Sequence, residues 1–549
     1  MKARIALLTV LFGLLTFTLT LPASEPQYKS PTAKLELKSG DSIVFLGDSI
    51  THQCLYTQYV EDFFYTRYPS MRLKFHNSGV GGAKAWDALA RFDRDVTAYK
   101  PKYVTVLLGM NDGRYQPYDE ETFQTYRRDM TEVVARIRKI GATPVLMTPT
   151  MFDSRAARMR NRQRSADSLT LYNSVLAYYG AWLQEVAVDN GYGFVDMYGP
   201  LNNLTLEQRK TDPNFTMIRD SVHPDPPGQI VMAYSIIDQM GLRGPVSNIR
   251  IMRQGNGKLR VQAAGAGGKA TELTDDANGL SFTWQARCLP FVVPEDAQSG
   301  AKLLHLGHRM SREALEVHGL SAGRYELSID GDVVGTYSSL QLERHIELQE
   351  NTKTPQFKQA LAVADLNQQR NSVPVKSLRN EWRVFQQYSR LAAQLKADRG
   401  NDKLRQQVSS FEKRLVGIEE RIKKHEHDAL TLEDQIFKVN QPQPRKYQLK
   451  KVVVAVDAEV SGRVTFNGEP LDGANIEFRT NKGRVVTGKT DRVGRFVLQG
   501  KGNAGVSSGT YSVTVSSKGV PVKYSERAKS PLKVEVRSGD NEINFDLTD

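Results

Sequence analysis

Cysteine is almost missing. Cys54 and Cys288 are the only two in 549 residues. Two thiols do not make a disulfide framework, so the fold must rest on apolar burial, whether the pair is bonded or simply two buried thiols. Metal-binding patterns are missing too. No HExxH and no Cys–His cluster occurs, so no metal site and no cofactor is expected. No apolar run beyond the N-terminus approaches the roughly 20 residues that a membrane span needs. No nucleic-acid recognition motif accompanies the net charge of +13. The basic excess therefore reads as attraction to acidic surfaces or polymers, and no nucleic-acid partner is expected.

What is present starts with an export pattern. Lys2 and Arg4 precede an uncharged run from Ile5 to Leu21, and small residues follow at Ala23 and Ser24. This predicts a signal peptide over 1–23, a secreted or periplasmic protein, and no stable membrane span after cleavage. The chain is too long for one core, since domains hold roughly 100–200 residues.

The pattern divides the rest. Apolar strands are expected at 42–47, 72–77, 103–108, 143–147 and 193–196. Helices are expected between them at 55–68, 122–140 and 169–190. Strands alternating with helices predict an α/β unit with a parallel sheet over 35–243. Short β runs with Gly turns predict a β-rich accessory module over 246–350. Residues 356–440 read as helical. Leu404, Val408, Phe411, Leu415, Ile418 and Ile422 alternate spacings of four and three, a seam that suits a helical hairpin turning at Arg399–Asn401. After a linker at 441–444, alternating runs at 476–478, 511–515, 532–536 and 543–547 predict a β-sandwich over 453–549.

Four short segments in the α/β unit carry chemistry. Gly47-Asp48-Ser49 follows the first strand, where ligands bind in open parallel sheets, and a helix start there favours developing negative charge. Taken alone, Ser after Asp is usually a helix cap. A glycine block ending at Gly81 and Gly82 follows the second strand and can expose backbone N–H groups to an oxyanion. Gly109-Met110-Asn111-Asp112 follows the third strand and offers a side-chain amide. Asp220 and His223 sit three apart before the last helix, so one segment can supply both a base and the group that orients it.

In this order, the four segments resemble the motifs of the SGNH (GDSL-like) hydrolases over about residues 40–242. The resemblance implies a flavodoxin-like three-layer fold and metal-free ester hydrolysis. It implies Ser49 as nucleophile, His223 as base and Asp220 as its partner. Gly82 and Asn111 would be oxyanion donors together with the Ser49 N–H. The motif glycine falls on Gly82, and Ala83 and Lys84 replace the side chains usual after it. The C-terminal segment resembles carboxypeptidase-regulatory or transthyretin-like sandwiches through residues 462–468, 490–496 and 508–513.

These readings predict a secreted serine esterase acting through an acyl-enzyme, removing short acyl groups such as acetyl from carbohydrate. The alternatives are a lipase- or lysophospholipase-like acylhydrolase, and a non-catalytic polysaccharide- or wall-binding protein. The expected partner is an acylated carbohydrate or another ester. Arg155, Arg158, Arg160, Arg162 and Arg164 follow the fourth strand. They read either as a cationic rim for an anionic substrate or as a solvated charged segment.

Overall fold

Five strands of mostly buried residues form a parallel sheet: β1 (Ser42–Gly47), β2 (Lys74–Gly79), β3 (Tyr103–Leu107), β4 (Thr143–Met147) and β5 (Gly193–Val195). The computed structural model describes residues 28–33, 35–160, 165–253, 259–264, 267–276, 279–452, 458–481, 483, 485–500 and 506–549. The expected leader over 1–23, Arg162 and Arg164 lie outside these residues.

The strand order is β2-β1-β3-β4-β5, and each neighbouring pair is parallel. Strands β1 and β3 are buried throughout, which is why they read as unbroken apolar runs. The order is flavodoxin-like, and its direction reverses at β1, so the crevice between the ends of β1 and β3 is the place where such sheets bind ligands.

Helix α1 (Ser49–His52) and helix α2 (Leu55–Arg67) link β1 to β2, and α3 (Ala85–Ala90) follows β2. Helix α4 (Glu120–Lys139) links β3 to β4. Helices α5 (Ser154–Arg160) and α6 (Ala166–Asn190) link β4 to β5. After β5 come α7 (Tyr198–Gln208) and α8 (Pro226–Gln239), and α8 packs on α2. Local chemistry sets the helix ends. Asp119 caps α4 by accepting from Thr122 N–H at 2.8 Å, and Gly191 ends α6 at φ +67°.

Beyond the α/β unit, Ser247–Arg253 and Glu313–Val317 pair in parallel within a four-stranded sheet. A second sheet holds Gly279–Ala286, Arg324–Ile329 and Arg445–Val452 as neighbours. The last of these strands follows the helical region, so this sheet is built from two separated parts of the chain. The two sheets share a core that includes Ile251, Phe282, Leu315, Leu327 and Tyr447.

The helical region consists of α9 (Pro355–Arg370), α10 (Lys376–Ala397), α11 (Asp402–Leu415) and α12 (Ile418–Val439). A π-helical turn at Asn371–Val375, which carries Pro374, joins α9 to α10. Helices α10 and α11 pair as a hairpin about Asp398–Asn401, and Asn401 caps α11. The apolar seam from Leu404 to Ile422 is split in two, because Gly417 takes φ +72° and ends one helix before the next begins. Phe357, Val363, Leu378, Trp382, Ile422 and Ile436 belong to the same apolar core as the parallel sheet. The C-terminal residues form two small sheets around their own core, which includes Val464, Ile476, Phe478, Phe496, Tyr511 and Phe545. Cys54 and Cys288 are free and buried.

Candidate active site

Gly47 ends β1, and Asp48 starts the next helix by accepting from Ile50 N–H at 2.9 Å. Ser49 is the first residue of α1, so its own N–H has no acceptor within the helix. Opposite it lies the loop before α8. Ser221 takes φ +75° there, and the turn brings Val222 and His223 N–H onto Asp220 Oδ1 at 2.9 and 2.7 Å. The His223 ring is 2.6 Å from Asp220 Oδ2 through Nδ1 and 2.7 Å from Ser49 Oγ through Nε2. Nδ1–H donating to the carboxylate leaves Nε2 to accept from the Ser49 hydroxyl.

The electrostatics agree with these contacts. Partial burial pushes the Asp220 carboxyl upward, but donation from the His223 ring and from two backbone N–H groups outweighs it and brings the pKa down to about 2. The hydrogen bond to Asp220 raises the His223 pKa, and desolvation opposes it. The buried Asp48 carboxyl is raised by desolvation to about 6. Asp112 is raised to about 7 by burial, although Ala85 N–H donates to it at 2.9 Å.

Gly82 takes φ +71°, a left-handed conformation that glycine adopts at little cost. No acceptor meets its N–H among the described residues. Asn111 Nδ2 donates to the Ala83 carbonyl at 3.1 Å and lies 3.5 Å from Asp48 Oδ2. Tyr115 O–H donates to Asn111 Oδ1 at 3.0 Å. Gly82 and Asn111 line a cleft of about 780 Å³ with Lys84, Trp86, Arg114 and Arg390. Trp86 is 39% exposed.

The arginine segment stands apart from this cleft. Arg155, Arg158 and Arg160 lie on α5, and Arg160 donates to the Arg219 carbonyl at 2.7 Å, beside Asp220. Arg155 and Arg158 meet no carboxylate among the described residues. No group of His, Cys, Asp and Glu able to hold a metal ion occurs among the described residues.

Two contacts beside the site went unread in the sequence, although Asp112 itself closes the third segment. Asp112 fastens the start of α3. His52, three residues after Ser49 on α1, receives Gly81 N–H on Nδ1 at 3.3 Å. Its helical spacing from Ser49 was the available signal.

A hydroxyl joined to an imidazole and a carboxylate, next to unpaired backbone N–H groups, is the equipment of a serine hydrolase. Residues 45–230 match the GDSL-like Lipase/Acylhydrolase family. The α/β unit therefore carries a GDSL-like acylhydrolase domain, and the chain is an ester-hydrolysing enzyme. Over 229 residues the chain is 25% identical to an acetylxylan esterase of Geobacillus stearothermophilus, covering 38% of this chain and 97% of that protein. It is 29% identical over 132 residues to an uncharacterized lipoprotein of Bacillus subtilis (strain 168), covering 21% of this chain and 51% of that one. The solved structure of a gut microbial diltiazem-metabolizing enzyme is similar over 78% of this chain and all of its own, with 25% identity and a TM-score of 0.64.

Proposed function

We propose that the protein removes short acyl groups, such as acetyl, from acylated carbohydrate by an acyl-enzyme route. The observation that carries this reading is the continuous relay from Ser49 Oγ through His223 to Asp220, at 2.7 and 2.6 Å. His223 Nε2 takes the Ser49 proton as Oγ attacks the ester carbonyl. Asp220 holds the ring and stabilises the imidazolium. The tetrahedral oxyanion meets the N–H groups of Ser49 and Gly82 and the Asn111 amide. His223 then protonates the departing alcohol, and water repeats the sequence in reverse on the acyl-Ser49.

The cleft beside Gly82 and Asn111 supports a sugar as the alcohol portion. Trp86 offers an exposed aromatic face, and Lys84 and Arg114 offer donors to hydroxyl groups. The likeness to an acetylxylan esterase over nearly all of that protein supports the same class. Likeness over the whole of a diltiazem-metabolizing enzyme supports a site that also takes small non-carbohydrate molecules. Export through residues 1–23 and a carboxypeptidase-regulatory-like role for the C-terminal sheets belong to this proposal. So does a cationic rim formed by Arg155, Arg158 and Arg160.

The test is release of acid from acetylated xylooligosaccharides, a small acetyl ester, a long-chain acyl ester and a lysophospholipid. Turnover of the acetyl esters with little of the last two supports the reading. Preference for the long-chain substrates overturns it in favour of a lipase-like enzyme.

A further inference from the structure

Helix α10 lies outside the residues that match the acylhydrolase family, yet its side chains grip the glycine loop next to Ser49. Arg379, Gln386 and Arg390 recur at intervals of seven and four, so they share one face of the helix. Arg379 is fully buried. Its Nε donates to the Gly79 carbonyl at 2.9 Å, and its terminal nitrogens bond both oxygens of Asp95 at 2.7 and 2.6 Å. Gln386, also buried, donates through Nε2 to the Gly81 carbonyl at 3.1 Å. Arg390 donates to the Gly82 carbonyl at 2.6 Å and bonds both oxygens of Asp87 at 2.8 and 2.7 Å. Asn380 Oδ1 lies 3.1 Å from His52 Nε2. Burial brings the His52 pKa down to about 4, so the ring is neutral and donates there while its Nδ1 accepts from Gly81 N–H.

The geometry of the peptide unit gives this grip a consequence. A peptide bond is planar and trans, so the carbonyl and the N–H that follows it point in opposite directions. The Gly81 carbonyl and the Gly82 N–H belong to one such unit. Gln386 on the carbonyl therefore turns the Gly82 N–H away from α10. Without that anchor, a loop containing Gly79, Gly81 and Gly82 has wide rotational freedom. Arg390 fixes the next peptide unit in the same way, and Arg379 fixes the unit at Gly79.

We propose that Gln386, backed by Arg390 and Arg379, acts as a positioning residue for the hydrolytic reaction. It holds the Gly82 N–H aimed before the ester arrives. The helical region is thus part of the catalytic unit. This rests on the proposed hydrolysis at Ser49, with Gly82 as an oxyanion donor.

The test uses the full chain with Gln386→Leu, Arg390→Met and Arg390→Lys, beside Ser49→Ala. Active sites are counted with a fluorophosphonate, and kcat is expressed per titrated site on a small acetyl ester. Phenylboronic acid supplies a second readout. Its boron accepts the Ser49 oxygen, the serine proton passes to His223, and the adduct is a tetrahedral anion. Gln386→Leu is expected to lower kcat about 10- to 100-fold, as misplacement of a catalytic group does. Boronic acid affinity should weaken by the same factor, with KM nearly unchanged. Arg390→Met should move both readouts in the same direction, and Arg390→Lys should restore part of the loss. Parent kcat per site in both Gln386→Leu and Arg390→Met overturns the proposal, even where fewer sites titrate, because the helix would then only pack. If Ser49→Ala retains parent activity, the underlying reading falls instead.

Discussion

Replacing Arg370 by Met should cost about 3–5 kcal/mol, the usual penalty for stripping one partner from a buried ion pair. Arg370 ends α9 and reaches Glu61 of α2, 309 positions earlier, with Nη1 at 2.9 Å from Oε2. The two side chains are 7% and 1% exposed. Without Arg370, Glu61 is left with neutral amide partners, the Asn371 side chain at 2.7 Å and the Asn367 side chain. Burial already raises the Glu61 pKa, and Arg370 is the strongest group opposing that shift, so its loss should raise the pKa further. A carboxyl with its folded pKa above its unfolded value of about 4.3 binds protons more tightly in the folded state. Its penalty is therefore small at low pH and grows as pH rises through the folded pKa. Urea unfolding followed by fluorescence should show the deficit near pH 8 and a smaller one near pH 5. Adding Glu61→Gln to Arg370→Met should recover much of it. A deficit below about 1 kcal/mol, or one equal at both pH values, would refute the view that this pair welds the helical region to the α/β unit.

Four further outcomes concern the relay, the oxyanion amide and the arginine-bearing helix. The acid limb of kcat/KM should fall with a pKa above the ordinary His value of about 6.5, because Asp220 stabilises protonated His223 and the protonated ring cannot accept the Ser49 proton. Asp220→Asn should shift that limb to lower pH while reducing kcat by about 10⁴. Asn111→Ala should lower kcat by about 10²–10³ with KM little changed, and a much smaller loss would remove this amide from the oxyanion site. Changing Arg155, Arg158 and Arg160 to Gln should lower kcat/KM for an acidic acylated polysaccharide and spare a small neutral ester. An unchanged ratio between the two substrates would leave these side chains as solvated charge.

The sequence was most readable where the determining contacts are local. Strands β1 and β4 match the expected limits because their apolar runs are bounded by Gly and polar residues. Strand β2 runs two residues past its expected end. Those residues are Ser78 and Gly79. Ser78 looks like a loop residue, but it is buried and donates to the Asp95 carbonyl at 2.6 Å. The spacing of Asp220 and His223 pointed to their pairing because three residues of backbone set it. Helix α3 was unreadable because Asp112, from another loop, fastens its first residue. The tie between Gln386 and Gly81 spans 305 positions and leaves no periodic trace. The polar face of α10 reads as a solvated stripe until the fold lays it over the glycine loop.

In the proposed reaction Ser49 Oγ attacks the ester carbonyl and accepts the acyl group, with His223 and Asp220 behind it. The most direct test of this role is kcat of folded Ser49→Ala on a small acetyl ester, with folding checked by the parent's circular dichroism spectrum and melting temperature. A loss on the order of 10⁴–10⁶ is expected, as when a serine nucleophile is removed elsewhere. Activity near the parent's in the folded variant would contradict it.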